Sequence, residues 1–293
     1  MSKIIYLIKR IIRNITPPLI ITTFKTLKRK TQKAYSKKVN LDLIDFQNFD
    51  DTEVYILGNS PSLSQVNVED FYGKTIFVCN YFYKHPKFNQ LKEKCKIIYF
   101  TQDPIQIHTN IAKERNLELK EAVLSYFDNF LSESYETIVD KSVYDYFKLN
   151  DLYSECKISF FNHNAIFQYF EQKLNSENLD LDKAIKIRHT PNAMITYAFL
   201  YGFKTIYLHG LQHSYIRDKI ERKLLVPHFY KELKKESETM ENIDFTKLFL
   251  DEYLTFSVYK EQSKLAKQLN VHIYDCTVDG MLDMFDKKTN FKL

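Results

Sequence analysis

Cysteine is scarce in this sequence, and tryptophan is absent. The chain has 293 residues and four cysteines, Cys79, Cys95, Cys156 and Cys276, none of which forms a CxxC pair or a Cys/His zinc pattern. The spacing therefore gives no sign of a structural zinc site. Scattered cysteines of this kind are typical of a protein that works in the reducing cytosol.

Long hydrophobic runs are missing as well. Residues 1–40 contain two short apolar stretches, 4–8 and 19–24, which are interrupted by Lys9, Arg10 and a pair of prolines. Both stretches are too short to span a bilayer, which takes about 20 apolar residues. A cleaved signal peptide is not expected either, because no uninterrupted apolar core precedes a small-residue cleavage site.

Acidic residues are absent from the same N-terminal segment. Residues 1–40 contain eleven lysines and arginines, so the rest of the chain has 31 basic and 37 acidic residues and a net charge of −6. A basic segment with interspersed apolar side chains binds an anionic membrane surface, each cation contributing about 1 kcal/mol. We therefore predict a membrane-binding arm at 1–40 and a cytoplasmic, peripheral location on the inner face of the cell membrane. A basic tail without a partner is the alternative, and the acidic remainder argues against nucleic acid.

The rest of the chain can form a folded core. Hydrophobic residues make up 44% of the sequence, which excludes a disordered or fibrous protein. Five short apolar runs, each followed by a polar turn or a helical pattern, are predicted to be strands, and their continuous apolarity is typical of a parallel sheet covered on both faces. The predicted strands are 53–59, 74–80, 96–100, 204–210 and 271–276. The predicted helices that accompany them are 190–202, 251–269 and a closing helix from about residue 279.

These elements predict the α/β fold class, with one Rossmann-like nucleotide-binding domain at 41–293 and a mostly parallel sheet. Two stretches, about 104–183 and 213–250, break the alternation of strands and helices. We predict that they are lid or insertion segments, partly helical. The elements predicted in the first of them are helices at 134–148 and 163–175 and a strand at 156–161.

Polar residues follow three of the predicted strands at the point where each strand ends. Gly58 and Asn59 end the first strand and Ser60 follows it, Asn80 ends the second, and Gln102 follows the third. Ligands of an open α/β sheet bind at the carboxyl ends of the strands, so two asparagines at consecutive strand ends favour a nucleotide site. Turn formation would explain the same residues, and the spacing alone does not decide between the two.

Three blocks of sequence carry a family resemblance. They are YILGNSPSL, FVCNYFY and RHTPNAMITYAFLYGFKTIYLHGLQHSY, within a similarity that runs from about residue 53 to 283. The blocks resemble the bacterial CMP-sialic acid-dependent sialyltransferases of the Campylobacter type and, more distantly, the flagellin nonulosonate transferases. This resemblance implies a Rossmann-like domain with a lid, which transfers sialic acid from CMP with inversion and needs no metal or other cofactor.

The resemblance also implies roles for individual residues. Asn59 and Asn80 are expected to contact the cytidine nucleotide and its sugar, Arg188 to lie at the donor pocket, and Tyr215 to hydrogen-bond the departing phosphate. The full predicted nucleotide-binding set is Gly58, Asn59, Ser60, Asn80, Gln102, Thr190, Gly210 and Leu211.

The chain departs from that family at three places. Ser60 stands where the family has glycine, Pro191 and Asn192 replace a small Ser-Gly pair, and Gln212 and His213, with one extra residue, replace an acid. The donor therefore stays open between sialic acid, a related nonulosonic acid and another nucleotide sugar. The acceptor is expected to be a cell-surface glycan or glycolipid, as in lipopolysaccharide or capsule synthesis, and a homo-oligomer is left open.

His228 is the predicted catalytic base. The other seven histidines lie in a predicted strand, on the nucleotide side, in the predicted lid or beside the donor site. The resembling family places its base histidine in the segment between the strand at 204–210 and the helix at 251–269. An imidazole with a pKa near neutrality suits that task. His213, beside Tyr215, is the second candidate, and a surface histidine without a role is the alternative.

Acidic pairs of the DxD kind are not found at any predicted strand end, so we predict chemistry without a metal. Two functions of other classes stay open. One is a pterin or nucleotide pyrophosphokinase, which would transfer diphosphate from ATP, although no lysine-rich phosphate loop follows the first strand. The other is a nucleotide-sugar-binding protein without catalysis.

Overall fold

A single parallel sheet organises the described part of the chain. The computed structural model describes residues 51–101, 119–174, 178–221, 228–229 and 244–288, so the predicted arm at 1–40 and Gln102 lie outside the described residues. Within these ranges eight strands lie in the order β5-β4-β3-β2-β1-β6-β7-β8, and every pair of neighbours is parallel. The strands are β1 (Glu53–Leu57), β2 (Thr75–Cys79), β3 (Lys96–Thr101), β4 (Glu136–Val139), β5 (Ile158–Phe160), β6 (Thr205–His209), β7 (His272–Asp275) and β8 (Asp286–Lys287).

Helices connect most of these strands, as a parallel sheet requires. They are α1 (Phe88–Lys94), α2 (Leu119–Phe127), α3 (Lys141–Leu149), α4 (His163–Lys173), α5 (Leu181–Ala184), α6 (Thr190–Leu200), α7 (Tyr215–Ile220) and α8 (Phe245–Leu269). Short 3-10 helices occupy Pro61–Gln65, Val68–Phe71 and Asn80–Lys84. No helix in the described ranges is long and apolar enough to cross a membrane.

The central strands are covered on both faces, which explains why their sequences are apolar without alternation. All five residues of β2 are buried. On one face of the sheet the ring of Tyr55 packs on Phe71, with centroids 5.5 Å apart. On the other face Phe77 packs edge-on against Phe203, at 5.8 Å. This two-sided burial confirms the prediction of a covered parallel sheet.

Helix α6 is buried almost completely, since ten of its eleven residues are buried. It contacts β1, β2 and β3 on one side and α8 on the other. The side-chain amide of Gln262 in α8 donates to the carbonyl of Asn192 at 2.9 Å and to the hydroxyl of Thr196 at 3.2 Å. Packing between the sheet and α8 therefore fixes where the first turn of α6 lies.

Most of the predicted elements are confirmed, and two predictions are wrong. Residues 134–148 do not form one helix, because β4 precedes α3. The closing helix from about 279 is also wrong: turns and β8 occupy this stretch as far as residue 288. There the Lys287 ammonium bonds the fully buried carboxylate of Asp275. The predicted lid or insertion at 104–183 contributes β4 and β5 to the sheet within its described residues.

Candidate nucleotide-binding site

The carboxyl ends of β1 and β6 meet at the point where the chain changes its direction across the sheet. From β1 the strands run outward to β5, and β6 then returns to the opposite side of β1. The backbone N–H of Gly58 donates to the carbonyl of His209 at 2.8 Å, and that of Ser60 donates to Gly210 at 3.0 Å. Such a switch point is the usual ligand-binding crevice of an open α/β sheet.

Glycine is required at position 58 by the closeness of the two loops. A Cβ atom added to Gly58 would lie 2.3 Å from the carbonyl oxygen of Gly210, which is too close for any side chain. Gly210 itself has a φ of +69°, in the left-handed region that favours glycine. The two glycines therefore allow the β1 and β6 loops to pack backbone against backbone.

Asn59 carries a buried oxygen that has no hydrogen-bond partner among the described residues. The residue is 8% exposed, and its side-chain N–H donates to the carbonyl of Cys79 at the end of β2, at 3.0 Å. Its Oδ1 makes no hydrogen bond in the described part of the chain. An unsatisfied buried acceptor costs about 1 to 3 kcal/mol, and a ligand donor would remove that cost.

Asn80 joins the end of β2 to the first turn of α6. Its side-chain N–H donates to the hydroxyl of Thr190 at 3.2 Å. The backbone of Asn80 has a φ of +50°, and its carbonyl accepts a hydrogen bond from the hydroxyl of Tyr99 at 2.5 Å. Asparagine tolerates this left-handed conformation better than most residues, so the position serves both the turn and the site.

The remaining residues of the predicted nucleotide-binding set lie at the same edge where the structure describes them. The hydroxyl of Ser60 is 2.8 Å from that of Ser62. Leu211 is buried, and its N–H donates to the hydroxyl of Thr277 at 3.2 Å. The structure thus brings together every member of the set except Gln102, which lies outside the described residues.

Basic and aromatic groups border this edge on the side of α8. The guanidinium of Arg188, just before α6, donates to Asp251 at 3.2 Å. His213 lies between the end of β6 and α8, and its Nε2 is 3.1 Å from the hydroxyl of Tyr259. Tyr215, the first residue of α7, is half-buried, and its ring centroid is 6.5 Å from that of His213.

His228 lies next to the β1 loop. The next residue is Phe229, whose backbone N–H donates to the carbonyl of Asn59 at 2.8 Å. The ring of Phe229 packs edge-on against Phe82 at 6.0 Å and His85 at 5.3 Å. Half-buried His228 is therefore one residue away from a direct bond to the Asn59 backbone, although it lies 169 positions from Asn59 in the chain.

Several residues of the site were not predicted from the sequence to have a role in it. Gln212 accepts a hydrogen bond from the N–H of Ser62 at 3.3 Å through its side chain. Thr277, just after β7, supports Leu211, and Glu252 is a buried carboxylate on α8. The burial of Glu252 could have been predicted from the sequence, because it lies four residues after Leu248 and three before Thr255 on the buried face of an amphipathic helix. No group of three or more His, Cys, Asp or Glu side chains in the described ranges is arranged to hold a metal.

Comparison with known proteins finds similarity at the level of solved structures. No family model matches the sequence, and no curated protein matches it. The similar structures include sialyltransferases. CST-II in complex with a trisaccharide acceptor and CMP has a TM-score of 0.45 and 17% identity, over 80% of this chain and 85% of that chain. CstII from Campylobacter jejuni in complex with CMP has a TM-score of 0.44 and 14% identity, over 82% and 88%. The same protein with CMP-3FNeuAc has a TM-score of 0.39 and 17% identity, over 80% and 84%. Similarity of this degree assigns no function to this chain.

Proposed function

We propose that the chain is an inverting, metal-independent glycosyltransferase that moves sialic acid or a related nonulosonic acid from a CMP-sugar to a glycan acceptor. The observation that carries the proposal is the buried Oδ1 of Asn59 at the switch point of the sheet, which has no partner in the part of the chain that the structure describes, with Asn80 at the next strand end. A cytosine amino group or a ribose hydroxyl is the kind of donor that this oxygen lacks. The three sequence blocks that resemble CMP-dependent sialyltransferases include both asparagines.

The loops around the two glycines form the floor of the proposed donor site. Because Gly58 and Gly210 have no side chains, the two loops pack backbone against backbone, which holds the ends of β1 and β6 together. Asn80 and Thr190 bond each other through side chains that can also donate to and accept from a sugar. In this arrangement the nucleotide lies over β1 and β2 and the sugar lies toward the first turn of α6.

Departure of the nucleotide requires stabilisation of the negative charge that develops on its phosphate. We assign that role to Arg188 and Tyr215, a cation and a phenol that can act without a metal. Asp251 holds the guanidinium of Arg188 at 3.2 Å, which limits its rotation. Both residues lie on the α8 side of the crevice, so the phosphate is proposed to face α8.

A base is needed on the acceptor side to remove the proton from the attacking hydroxyl. We assign it to His228, because the neighbouring Phe229 is bonded to the Asn59 loop. The second candidate, His213, has Nε2 at 3.1 Å from the hydroxyl of Tyr259 and Nδ1 at 3.5 Å from the carboxylate of Glu252. A protein group thus lies close to each ring nitrogen of His213, and we keep it as the second candidate.

The cellular setting of the proposal comes from the sequence. Residues 1–40 would bind the anionic inner face of the cell membrane, where a glycolipid or another cell-surface glycan under assembly is the acceptor. The enzyme would act there as a peripheral protein, without nucleic acid as a partner.

A transfer assay tests this function. The full chain is incubated with a panel of CMP-activated nonulosonic acids and a panel of glycan and glycolipid acceptors, with excess EDTA in one arm, and the products are analysed by mass spectrometry. We expect CMP release and one added sugar on an acceptor, with the opposite anomeric configuration and full activity in EDTA. Diphosphate transfer from ATP, with every CMP-sugar left intact, would refute the proposal in favour of a pyrophosphokinase. Loss of activity in EDTA that Mn²⁺ restores would refute metal independence alone.

A further inference from the structure

A buried carboxylate on α8 faces the loop that follows β6. Glu252 is 5% exposed, and its Oε2 is 3.5 Å from Nδ1 of His213, whose side chain is 8% exposed. Neither of these two atoms makes a hydrogen bond to another group in the described ranges. A carboxylate that is buried without a partner lowers the free energy of unfolding, so its closeness to an imidazole requires an explanation.

The second ring nitrogen of His213 faces the same helix. Nε2 is 3.1 Å from the hydroxyl of Tyr259, which lies two turns after Glu252 along α8. Burial raises the pKa of Tyr259 well above its usual value, so the phenol stays protonated and can donate to Nε2. When Nε2 accepts that bond, the proton of a neutral imidazole is on Nδ1, toward Glu252. A doubly protonated ring also places a proton on Nδ1.

The loop that ends at His213 forms part of the proposed donor site. The carbonyl of Gly210 accepts from the N–H of Ser60, and the side chain of Gln212 accepts from the N–H of Ser62. His213 then takes a left-handed conformation, with a φ of +51°. This conformation is uncommon for a residue with a side chain, so the contacts of the imidazole must help to hold it.

The same turn of α8 holds a second basic residue of the site. Asp251 bonds Arg188, and Glu252 is next to His213. Two adjacent carboxylates thus face the two basic residues that border the crevice on this side. His213 is also packed edge-on against Phe256, with centroids 5.7 Å apart, so its ring has little room to rotate.

We propose that Glu252 is a positioning residue for the donor site and acts through His213. Its carboxylate keeps a proton on Nδ1, which directs Nε2 to the hydroxyl of Tyr259 and fixes the loop from Gly210 to His213 against the β1 loop. That this loop binds a CMP-sugar rests on the proposed function. The fixing of the His213 ring by Glu252 does not depend on the ligand.

The test combines a spectroscopic measurement with CMP binding, both on the full chain. Protein labelled with ¹⁵N in its histidines is compared between the wild type and Glu252→Ala, with the His213 signals assigned through His213→Ala. We expect Nδ1 to be the protonated nitrogen in the wild type and the proton to move to Nε2 in Glu252→Ala. CMP affinity should fall by about threefold to thirtyfold in that variant. Glu252→Gln keeps an oxygen that can accept from Nδ1 and should restore most of the affinity.

The control is Glu261, another buried glutamate of α8, which accepts from the N–H of Asp180 at 3.1 Å. Glu261→Ala should lower the melting temperature and leave both the His213 signals and CMP affinity unchanged. Equal losses of CMP affinity in Glu252→Ala and Glu261→Ala would overturn the proposal, and so would unchanged affinity in Glu252→Ala.

A double variant keeps the test decisive if Glu252→Ala does not fold. His213→Ala with Glu252→Ala leaves neither member of the pair, and it should bind CMP as well as His213→Ala does. A further loss in the double variant would show that Glu252 does not act through His213. Failure of the wild type to bind CMP would overturn the proposed function and the donor-site role. The ¹⁵N signals of the ligand-free protein would still report on the fixing of His213.

Discussion

The side-chain amide of Asn80 lies 3.2 Å from the hydroxyl of Thr190, so the end of β2 is bonded to the first turn of α6 across 110 positions of sequence. We place a bound nucleotide sugar against this pair. Asn80→Ala removes the amide, and the loss of hydrogen bonds to a bound ligand costs about 1 to 3 kcal/mol, a factor of about 5 to 150 in affinity. Calorimetry should show this loss for CMP-sugar. Asn150→Ala, which removes an exposed asparagine after α3, is the control and should leave affinity unchanged. Equal affinities in all three proteins would make Asn80 a turn residue only.

Removal of residues 1–38 should release the protein from membranes. β1 begins at Glu53, so the truncated chain keeps all eight strands of the described ranges and should bind CMP as the full chain does. Sedimentation with anionic vesicles should pellet the full chain and leave the truncated chain in solution, while neutral vesicles should pellet neither. A truncated chain that still pellets with anionic vesicles would show that the membrane contact lies elsewhere.

If His228 is the catalytic base, its replacement should lower turnover and leave CMP binding intact. His228→Ala should lower turnover by about 10² to 10⁴, because general base catalysis contributes that much, while CMP affinity stays near that of the wild type. Steady-state kinetics and calorimetry measure the two quantities. His272→Ala, at an exposed position at the start of β7, is the control and should be fully active. Normal turnover in His228→Ala, together with an inactive His213→Ala, would move the role to His213.

A buried histidine at the end of β6 should make stability depend on pH. Burial lowers the pKa of His209 to about 4, whereas an unfolded histidine titrates near 6.5. The unfolded chain therefore binds more protons between these values. The stability that His209 contributes is complete above about pH 6.5 and is lost as the pH falls toward 4, by up to about 1.4 kcal/mol per pH unit.

The measurement for this effect is urea unfolding at several pH values between 4 and 7. His209→Gln cannot titrate, so its free energy of unfolding should fall less steeply with decreasing pH than that of the wild type. His272→Gln, which changes an exposed histidine, should follow the wild type. An identical pH slope in His209→Gln and the wild type would contradict the role given to His209.

β1 and β2, whose buried residues are mostly apolar, could be predicted from the sequence, whereas β4, which buries a carboxylate, could not. β1 and β2 are continuous apolar runs, as strands covered on both faces must be. β4 was not predicted, because Glu136 is of a residue type that is typical of an exposed helical position. In the structure Glu136 is 8% exposed, and its carboxylate accepts from the hydroxyls of Ser159 at 2.6 Å and Tyr201 at 2.8 Å. Both partners come from distant segments, so local pattern carried no sign of them.

Some residues of the candidate site could likewise be predicted from the sequence, and others could not. Asn59 and Asn80 could be found because strand ends meet at one edge of a parallel sheet, so sequence order alone brings them together. Their partners could not be found. The bond from Phe229 to Asn59 and the closeness of Glu252 to His213 depend on how the chain after β6 returns to the crevice. No periodicity of the sequence encodes that path.

Nucleotide selectivity is the most direct measure of the proposed donor site. Isothermal titration calorimetry of the full chain with CMP, UDP, GDP and ATP, repeated on Asn59→Ala, compares the four ligands at Oδ1 of Asn59, a buried oxygen that makes no hydrogen bond within the described ranges. We expect CMP to bind at least about tenfold more tightly than the other three, and its affinity to fall by a factor of about 5 to 150 in Asn59→Ala. Preference for ATP, or a CMP affinity that is the same in the wild type and Asn59→Ala, would contradict a cytidine nucleotide site at the carboxyl ends of β1 and β2.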